Sequence, residues 1–596
     1  MADAATLRKG IAKFFDRNGF SLQFDGLKYL EGVLKNQTES STQEKLERFL
    51  NNIYSICQQT GRENTYMINK DLLEEALKLG VGLSTAMDLE SVAGSQIQGA
   101  RREANNGQSM DVEGTFKDKI TEKIDNSFIV LSNFGELPYV CFRNQARAME
   151  VIQNKERSIL ISGKELIERW IDKYHKMRFL IKNSGIYVYQ HEIDQKGIKS
   201  GSNTTILHEI GTLCGAKGKY SIFGVIFKKG KKFYAQDTLS TIEVNFDKAS
   251  FKNGFYHEKH FMILTGEMQA NYFLVSEASQ PILDNCDPAK LASGKNHDIP
   301  GFKTKYLSLI KDMEVDTTEL KDGVKYNSKR DQLAKKYLGI FEFDQKPTGI
   351  IFVFSDFNIQ DQTNLALFED MVISLSLEST TDDSKPDAII LCGPFMNDIL
   401  INSKEDQSLL EETYQNFSNL LLKHQKTLKN IIIGMVPDLS DPVMNLIPKK
   451  PLPEYLLQKV SQELPKFCLL ENPVHFSYFG KSSIIFRSDL LKVLARKELI
   501  KIGQRNNTES YINTLLGQRN LAPVSNYCLP RMTGYDDSLE LFTLPDNLIL
   551  CDNLCDSESH DARANCHIFT VGSVSRTRTF LEIDFKKQAA RQVTQG

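Results

Sequence analysis

The chain lacks the features that would assign it at once to a specialised class of protein. Its 596 residues contain 73 lysines and arginines against 76 aspartates and glutamates, a formal charge of −3. This balance excludes a protein that binds nucleic acid or polyphosphate over its whole surface, so any such contact must be local. No stretch approaches the roughly 18 consecutive apolar residues of a membrane span. The 41% hydrophobic content is that of ordinary globular domains.

Cysteine is scattered through the chain. The 10 cysteines form no repeating framework, and residues 1–5 lack the basic-then-apolar layout of a secretory signal, so we expect a reducing compartment. The densest group is Cys551, Cys555 and Cys566 with His567, but its C-x3-C-x10-C-H spacing is not a standard zinc pattern. We therefore predict buried thiols there, and we expect neither a metal nor another cofactor.

Breaks in composition and periodicity divide the first third of the chain. The total length is about four times the usual domain size of roughly 150 residues, which predicts three or four domains. Apolar residues at helical spacing predict a helical docking domain over 1–80, and the polar, glycine-containing residues 81–124 predict a flexible linker. Residues 125–204 are expected to form a connecting segment of strands and helix packed on the core. The predicted helical positions include Ile11, Phe15, Leu30, Ile53 and Ile68.

Short β-strands dominate the next region, residues 205–290. Five apolar runs match the strand count of an OB-type barrel. A basic cluster, Lys228, Lys229, Lys231 and Lys232, lies at a predicted hairpin turn. Lysines at such turns are usually solvated, so nucleic-acid binding is the weaker alternative to packing against a neighbouring domain. The five runs are 221–227, 232–236, 241–246, 260–264 and 272–275, and residues 291–346 follow as a diverged connecting segment.

Buried strands alternate with helices in the last region, residues 347–596. Solid runs of isoleucine, valine and phenylalanine separated by helices predict an α/β domain whose sheet is covered on both faces. The fold class is therefore multidomain α+β and α/β, with a helical bundle, an OB barrel and an α/β domain. The first three strands are expected near 349–354, 387–391 and 430–434, and the helices between them near 362–376 and 407–425.

The residues that follow the buried strands are the candidate site, because ligands of open α/β sheets bind beyond the carboxyl ends of the strands. Their order resembles the calcineurin-like metallophosphoesterases, whose strands end in D-x-H, G-D and G-N-H-D/E. Such enzymes hold two metal ions about 3.5–4 Å apart across an attacking hydroxide. The positions in this chain are Asp356, Asn358, Pro394, Leu439, Ser440 and Asp441.

That comparison predicts a calcineurin-like phosphoesterase domain with a degenerate metal site. Asn358 and Ser440 replace histidines, Pro394 replaces the bridging carboxylate, and Leu439 replaces an asparagine. Four histidines follow residue 347, and none falls in a matching position. We therefore expect no catalysis, with Asp356 and Asp441 as polar caps of strand ends. A divalent-metal-dependent phosphoesterase with unorthodox ligands stays open as the alternative.

The order of these domains and a series of short motifs resemble the B subunits of the eukaryotic replicative DNA polymerases, and among these the epsilon branch. The longest motif is residues 232–246, KFYAQDTLSTIEVNF, followed by Gly254-Phe-Tyr256 and Gly266-Glu267. No single motif is specific, but their order extends over more than 500 residues. The other motifs are 7–11, 26–30, 132–139, 452–454, 471–473, 486–490, 518–523 and 544–548.

The resemblance implies a non-catalytic accessory subunit of a leading-strand polymerase in the nucleus, with no membrane partner. The OB and phosphoesterase-like domains would bind the C-terminal region of the catalytic subunit of DNA polymerase epsilon. The N-terminal domain would link the polymerase to the replicative helicase through GINS, and contact with DNA would be weak or indirect. The corresponding accessory subunit of polymerase alpha or delta is a further alternative, which the helical N-terminal pattern followed by the 128–139 run disfavours.

Overall fold

The structure, a computed structural model, describes residues 128–283 and 347–594 apart from short gaps, together with a few earlier positions. The chain divides into two compact units, Met1–Lys117 and Asp118–Gly596. No helix in the described ranges is both long and apolar enough to cross a membrane. The earlier positions are 11, 15, 21–22, 26–30, 53, 67–68 and 73, and the gaps are 135, 138, 144–147, 153–158, 197–203, 214, 216–217, 253, 378–384, 397–403, 443, 501–502, 504 and 564–565.

The first unit contains a short pair of strands that the sequence pattern did not predict. Strand β1 (Ser21–Leu22) pairs in parallel with β2 (Met67–Ile68), so the prediction of a helix at Ile68 is wrong. A short apolar run is compatible with both helical and strand periodicity, and only a partner strand decides between them. Most of 1–80 and all of 81–124 lie outside the described residues, so the helical domain and the linker stay predictions. Four expected positions are helical and buried: Ile11, Phe15, Leu30 and Ile53.

A long helix follows the first three strands described in the second unit. Helix α1 (Gly163–Asn183) begins after Ser162, whose hydroxyl accepts from the Glu165 amide. Its C-terminal half buries Tyr174 and Met177 against the barrel, whereas Leu166 in its first turns is exposed. The neighbouring elements are β3 (Ile129–Leu131), β4 (Tyr139–Arg143), β5 (Ala148–Ile152), β6 (Tyr187–Tyr189) and α2 (Gln190–Lys196).

Five of the next seven strands close into a barrel. The strands are β7 (Thr205–His208), β8 (Lys219–Lys229), β9 (Lys232–Gln236), β10 (Thr241–Asn245), β11 (Ser250–Phe251), β12 (Phe261–Met268) and β13 (Phe273–Ser279). The ring runs β8–β9–β10–β13–β12 and back to β8, with only β10 and β13 parallel. It confirms the predicted OB-type barrel. Its register shifts at Gly266, where a Cβ would lie 2.1 Å from the Leu274 carbonyl oxygen.

The remaining elements belong to the α/β part. The strands are β14 (Ile350–Phe354), β15 (Ala388–Cys392), β16 (Ile432–Val436), β17 (Phe467–Leu469), β18 (Val474–Tyr478), β19 (Lys481–Arg487), β20 (Asn547–Cys551), β21 (Glu558–Arg563), β22 (Cys566–Val571), β23 (Thr579–Asp584) and β24 (Ala589–Thr594). The helices are α3 (Gln362–Leu377), α4 (Lys404–Lys423), α5 (Gln425–Leu428), α6 (Gln458–Glu463), α7 (Leu490–Arg496), α8 (Asn507–Gln518) and α9 (Val574–Thr577). The early strands and helices lie where the alternating pattern predicts them.

These strands form two six-stranded sheets that pack face to face. The first has the order β17–β16–β15–β14–β23–β24, and the second β21–β22–β20–β19–β18–β3. Strand alternation sorts the side chains by layer: Val353 and Ile390 join Ile485 and Ile549 between the sheets, while Phe354 packs on the outer helices. Each sheet is thus covered by helices on one face and by the other sheet on the opposite face. The sequence predicted covering on both faces but not that the second cover is a sheet.

The barrel packs directly on helices of the second sheet. The Gln518 side chain, at the end of α8, accepts from the Phe261 amide and donates to the Phe261 carbonyl, both at 2.8 Å. The ring of the buried His260 lies 2.5 Å from the Pro523 carbonyl oxygen. Beside these contacts, Lys176 of α1 pairs with Glu540 at 2.6 Å. Barrel and α/β part therefore share one continuous interface.

Candidate functional site

The carboxyl ends of β14, β15, β16 and β19 converge on one buried arginine. Arg487 ends β19, and its side chain has no exposure to solvent. Its Nη2 lies 3.7 Å from the Asp356 carboxylate, its Nε 3.5 Å from Asp438, and its Nη1 2.5 Å from Asp489. The Nε also donates to the carbonyl of Gly393. The guanidinium thus connects strand ends of both sheets.

The charge of this arginine is held by its neighbours. Burial alone would lower the pKa of the Arg487 guanidinium, but the carboxylates of Asp438, Asp489 and Asp356 outweigh burial and raise that pKa above its ordinary value. A guanidinium presents its donors in a planar fork, so one group can meet several carboxylates at once. The site therefore carries a permanent cation among its acidic groups.

Asp441 is a buried structural carboxyl in the same place. One of its oxygens accepts from the Phe395 amide and the other from the Asp438 amide, each at 2.8 Å. Burial raises the pKa of Asp441 to about 7, with the nearby Asp438 charge acting in the same direction. Gly393 makes room for it, because a Cβ there would lie 2.1 Å from the Asp441 Oδ2. Asp441 therefore holds the backbone of two strand ends together.

The other predicted site residues also make local contacts. The Asn358 side chain accepts from the Gln360 amide at 2.8 Å, and both the amide and the hydroxyl of Ser440 donate to Asp438. The Leu439 carbonyl accepts from the buried Lys449 ammonium at 3.0 Å, while the Leu439 side chain packs against the outer core of the second sheet. Pro394 follows Gly393 at the end of β15 and has no amide hydrogen to donate.

Asp356 lies at the open side of the site. Its backbone has a φ of +59°, in the left-handed region, and its side chain is 22% exposed. One carboxylate oxygen accepts from the Ser573 hydroxyl and the other faces Arg487. Asp356 therefore connects the end of β14 both to the arginine and to the start of α9.

Sequence reasoning missed the residues of the second sheet that complete this cluster. Arg487 and Asp489 appear in it only as part of a family motif. Asp552 is fully buried, accepts from the Leu491 and Leu554 amides, and has a pKa that burial raises to about 6. Inspecting the end of the apolar run 483–486, as was done for the earlier strands, would have drawn attention to Arg487. Only the packing of the two sheets brings Arg487 to Asp356.

The residues present do not fit a two-metal centre. Among the described residues, no group of three or more histidine, cysteine, aspartate or glutamate side chains could hold a metal ion. The arginine lies between the carboxylates instead. Histidines are engaged elsewhere: His424 lies 3.1 Å from Glu369, and the buried His475 lies 3.0 Å from the Ser538 carbonyl oxygen. The arrangement binds strand ends together rather than presenting ligands for an attacking hydroxide.

The three C-terminal cysteines are buried on two different faces of the second sheet. Cys555 and Cys566 pack in its outer core, whereas Cys551 faces the first sheet with its sulfur 3.8 Å from that of Cys392. Burial raises the pKa of the Cys566 thiol to about 12. These positions behave as buried thiols, as their spacing predicts.

The lysine cluster lies at the β8–β9 hairpin, where the pattern predicts it. Lys229 pairs with Lys232 across the turn, and all four lysines are exposed. Lys232 forms an ion pair with Glu243 at 2.8 Å, and the Lys228 ammonium lies 5.4 Å from the Phe233 ring centre. The hairpin is therefore a partly compensated basic turn rather than a basic groove.

Comparisons with known proteins agree over most of the chain. The alpha/epsilon B-subunit family of DNA polymerases matches residues 351–559, and the family DNA polymerase epsilon subunit 2-like, OB-fold domain matches residues 168–282. The chain is 21% identical over 558 residues to DNA polymerase epsilon subunit 2 of Mus musculus, covering 92% of this chain and 90% of that protein. It is 22% identical over 353 residues to DNA polymerase epsilon subunit 2 of Drosophila melanogaster, covering 59% and 60%. For the DNA polymerase epsilon B subunit of Arabidopsis thaliana, the identity is 22% over 381 residues, covering 63% and 66%.

Proposed function

Because the chain belongs to the alpha/epsilon B-subunit family of DNA polymerases, we propose that it is the non-catalytic second subunit of a DNA polymerase epsilon. A relative with the epsilon name matches nearly its whole length, which supports a role in chromosomal DNA replication in the nucleus. The observation that favours a structural rather than a catalytic role is Arg487, which lies between the strand-end carboxylates.

The assignment as an accessory subunit and the alternative of a metal-dependent phosphoesterase differ in whether the chain hydrolyses phosphoesters. A two-metal hydrolase needs open coordination positions for water and substrate, whereas here a guanidinium and backbone amides engage the carboxylates of Asp356 and Asp441. We expect the purified chain to hydrolyse neither phosphomonoesters nor phosphodiesters with manganese, zinc or iron. Metal-dependent turnover that disappears in Asp356→Asn, but not in Asp361→Asn immediately before α3, would show an active site.

The proposed partner of the barrel and α/β part is the C-terminal region of the catalytic subunit. Between residues 159 and 171 five large apolar side chains are exposed, an unusual concentration for a monomer surface. Leu166 is 46% and Ile167 61% exposed, although α1 is otherwise packed on the barrel. We propose that the catalytic subunit contacts this apolar stretch, which includes the first turns of α1. The five residues are Ile159, Leu160, Leu166, Ile167 and Ile171.

A pull-down with the C-terminal region of the catalytic subunit tests that placement. The double variant Leu166→Asp with Ile167→Asp should lose binding at least about tenfold, since it charges the centre of an apolar contact. Leu409→Asp on α4 is the matched control, because Leu409 is 47% exposed and equally apolar. Equal binding by both variants would remove α1 from the interface, and absence of binding by the unaltered chain would refute the polymerase assignment itself.

The N-terminal domain is proposed to link the polymerase to the replicative helicase through GINS. Residues 81–124 have the composition of a flexible tether, and a tether of this length gives an effective concentration of roughly millimolar, so modest affinity suffices. Removing residues 1–124 should abolish helicase binding and preserve polymerase binding. Loss of polymerase binding, or helicase binding without this segment, would refute the division of roles.

Direct DNA contact is the minor part of the proposal. The hairpin lysines are exposed, but Lys232 is paired with Glu243. The strand residues next to the turn, 221–227 of β8 and 233–236 of β9, contain no further lysine. Assignment to polymerase alpha or delta is disfavoured by the relatives named above, which carry the epsilon name. Co-purification with an alpha or delta catalytic subunit would reverse that assignment.

A further inference from the structure

All three nitrogens of the Arg487 guanidinium face a different carboxylate. Nη2 faces Asp356, Nε faces Asp438 and Nη1 faces Asp489, at 3.7, 3.5 and 2.5 Å. The three aspartates follow three different strands, β14, β16 and β19, from both sheets. A single cation thus lies at the centre of carboxylates that are far apart in sequence and meet only in the folded chain.

The site contains more acid than this cation neutralises. Three carboxylates surround one guanidinium, while Lys449, the other buried cation nearby, directs its ammonium to the carbonyls of Leu439 and Asp441. Buried like charges repel strongly unless a cation lies among them. Removing the guanidinium would therefore leave a strongly acidic cavity, which is the kind of site that a hard divalent cation prefers.

Two further observations concern the hydrogen bonding of the arginine and the exposure of the aspartates to solvent. The Arg487 Nη2 is buried and has no hydrogen-bond partner among the described residues, although it is directed toward Asp356. The side chains of Asp356 and Asp489 are 22% and 36% exposed, so an ion from solvent can reach their oxygens. Nε and Nη1 donate hydrogen bonds to the Gly393 carbonyl and to Asp489, so only Nη2 is held by charge alone.

We propose that the Arg487 guanidinium is the resident cation of this site, neutralising Asp356, Asp438 and Asp489 and thereby excluding a divalent metal ion. With the guanidinium removed, these carboxylates are free to move toward one another and to hold a divalent cation, which their positions around the arginine do not allow. This inference rests on the proposed lack of phosphoesterase activity and gives a physical reason for it. It does not depend on which polymerase the chain serves.

Thermal unfolding of the full chain in chelator and in millimolar manganese tests the proposal. The unaltered chain should unfold at the same temperature in both. Arg487→Ala should unfold at a lower temperature in chelator, and manganese should raise its midpoint by about 2 °C or more, since a ligand that binds only the folded state stabilises it. If the variant can be purified only in manganese, that dependence supports the proposal; failure to fold in both conditions contradicts it.

Matched variants separate this effect from general destabilisation. Arg487→Lys keeps a cation and should show no manganese shift, and Asp438→Asn added to Arg487→Ala should abolish the shift. Arg505→Ala removes another mostly buried arginine, which pairs with one carboxylate, Glu498, at 2.6 Å, and should be destabilised without a manganese response. A manganese shift in the unaltered chain or in Arg505→Ala, or none in folded Arg487→Ala, would overturn the proposal. Polymerase binding is measured separately, so its absence would count only against the proposed function.

Discussion

Replacing Gln518 by methionine should weaken the joint between the barrel and the α/β part. The Gln518 amide group satisfies the amide and the carbonyl of Phe261, both at 2.8 Å, and also donates to the Gln280 side chain. Methionine has nearly the same length but no such donor or acceptor. A buried polar group left without its partner costs roughly 1–3 kcal/mol.

The Phe261 amide dominates the expected loss. It is a buried donor with one hydrogen, whereas the Phe261 carbonyl keeps a second lone pair and the Gln280 amide keeps its bond to the Phe255 carbonyl. The free energy of unfolding should therefore fall by about 2–4 kcal/mol. Gln407→Met on α4 is the control, because Gln407 is exposed and, among the described residues, bonds to the exposed Glu411 at 3.1 Å. It should change stability by less than about 0.5 kcal/mol.

Two measurements check this reasoning. Urea unfolding followed by the fluorescence of Trp170, the single tryptophan, reports on the barrel side of the joint, since Trp170 packs beside Tyr174. Hydrogen exchange of the peptide containing Phe261 should accelerate in Gln518→Met alone. Unchanged exchange and stability in that variant would refute the account of the joint, and limited proteolysis that separates two stable, non-associating parts of the unaltered chain would refute the joint itself.

Three further predictions concern other sites in the chain. Gly393→Ala should lower the free energy of unfolding by about 3 kcal/mol or more, because its Cβ would overlap the Asp441 carboxylate, whereas Gly163→Ala, with no atom within 4 Å of its Cβ, should be neutral in the same urea titration. Burial and the nearby His257 lower the pKa of His260 from 6.5 to about 3. Below pH 6.5 this histidine is therefore protonated in the unfolded state but not in the folded state, so about 2 kcal/mol of stability should be lost between pH 6.5 and pH 5. His260→Gln should flatten that pH dependence relative to the partly exposed His191→Gln, and equal slopes would contradict the assignment. Replacing Lys229 and Lys231 by glutamate should leave the unfolding midpoint unchanged and reduce single-stranded DNA affinity by less than about threefold at physiological salt; a larger loss by fluorescence anisotropy would identify the hairpin as a direct DNA contact.

Local pattern was enough for the barrel and for the early α/β strands. Along each of the five barrel strands, side chains alternate between the barrel interior and its surface over a short run. The number of strands can therefore be predicted without tertiary information. The solid apolar runs of β14, β15 and β16 likewise indicate strands buried on both faces. At Ile68 the same reasoning failed, because a two-residue strand is defined by its partner at Leu22 and not by its own period.

The candidate site shows the limit of sequence reasoning more clearly. Asp356, Gly393 and Asp441 follow three parallel strands of one sheet, so their common edge could be predicted from the order of the runs. Arg487 and Asp489 follow a strand of the other sheet, and no spacing in the chain places them beside Asp356. The sequence alone predicts that metal ligands have been replaced. Only the packing of the two sheets decides that a guanidinium lies among the remaining carboxylates, because that position depends on how two separate apolar faces are buried against each other.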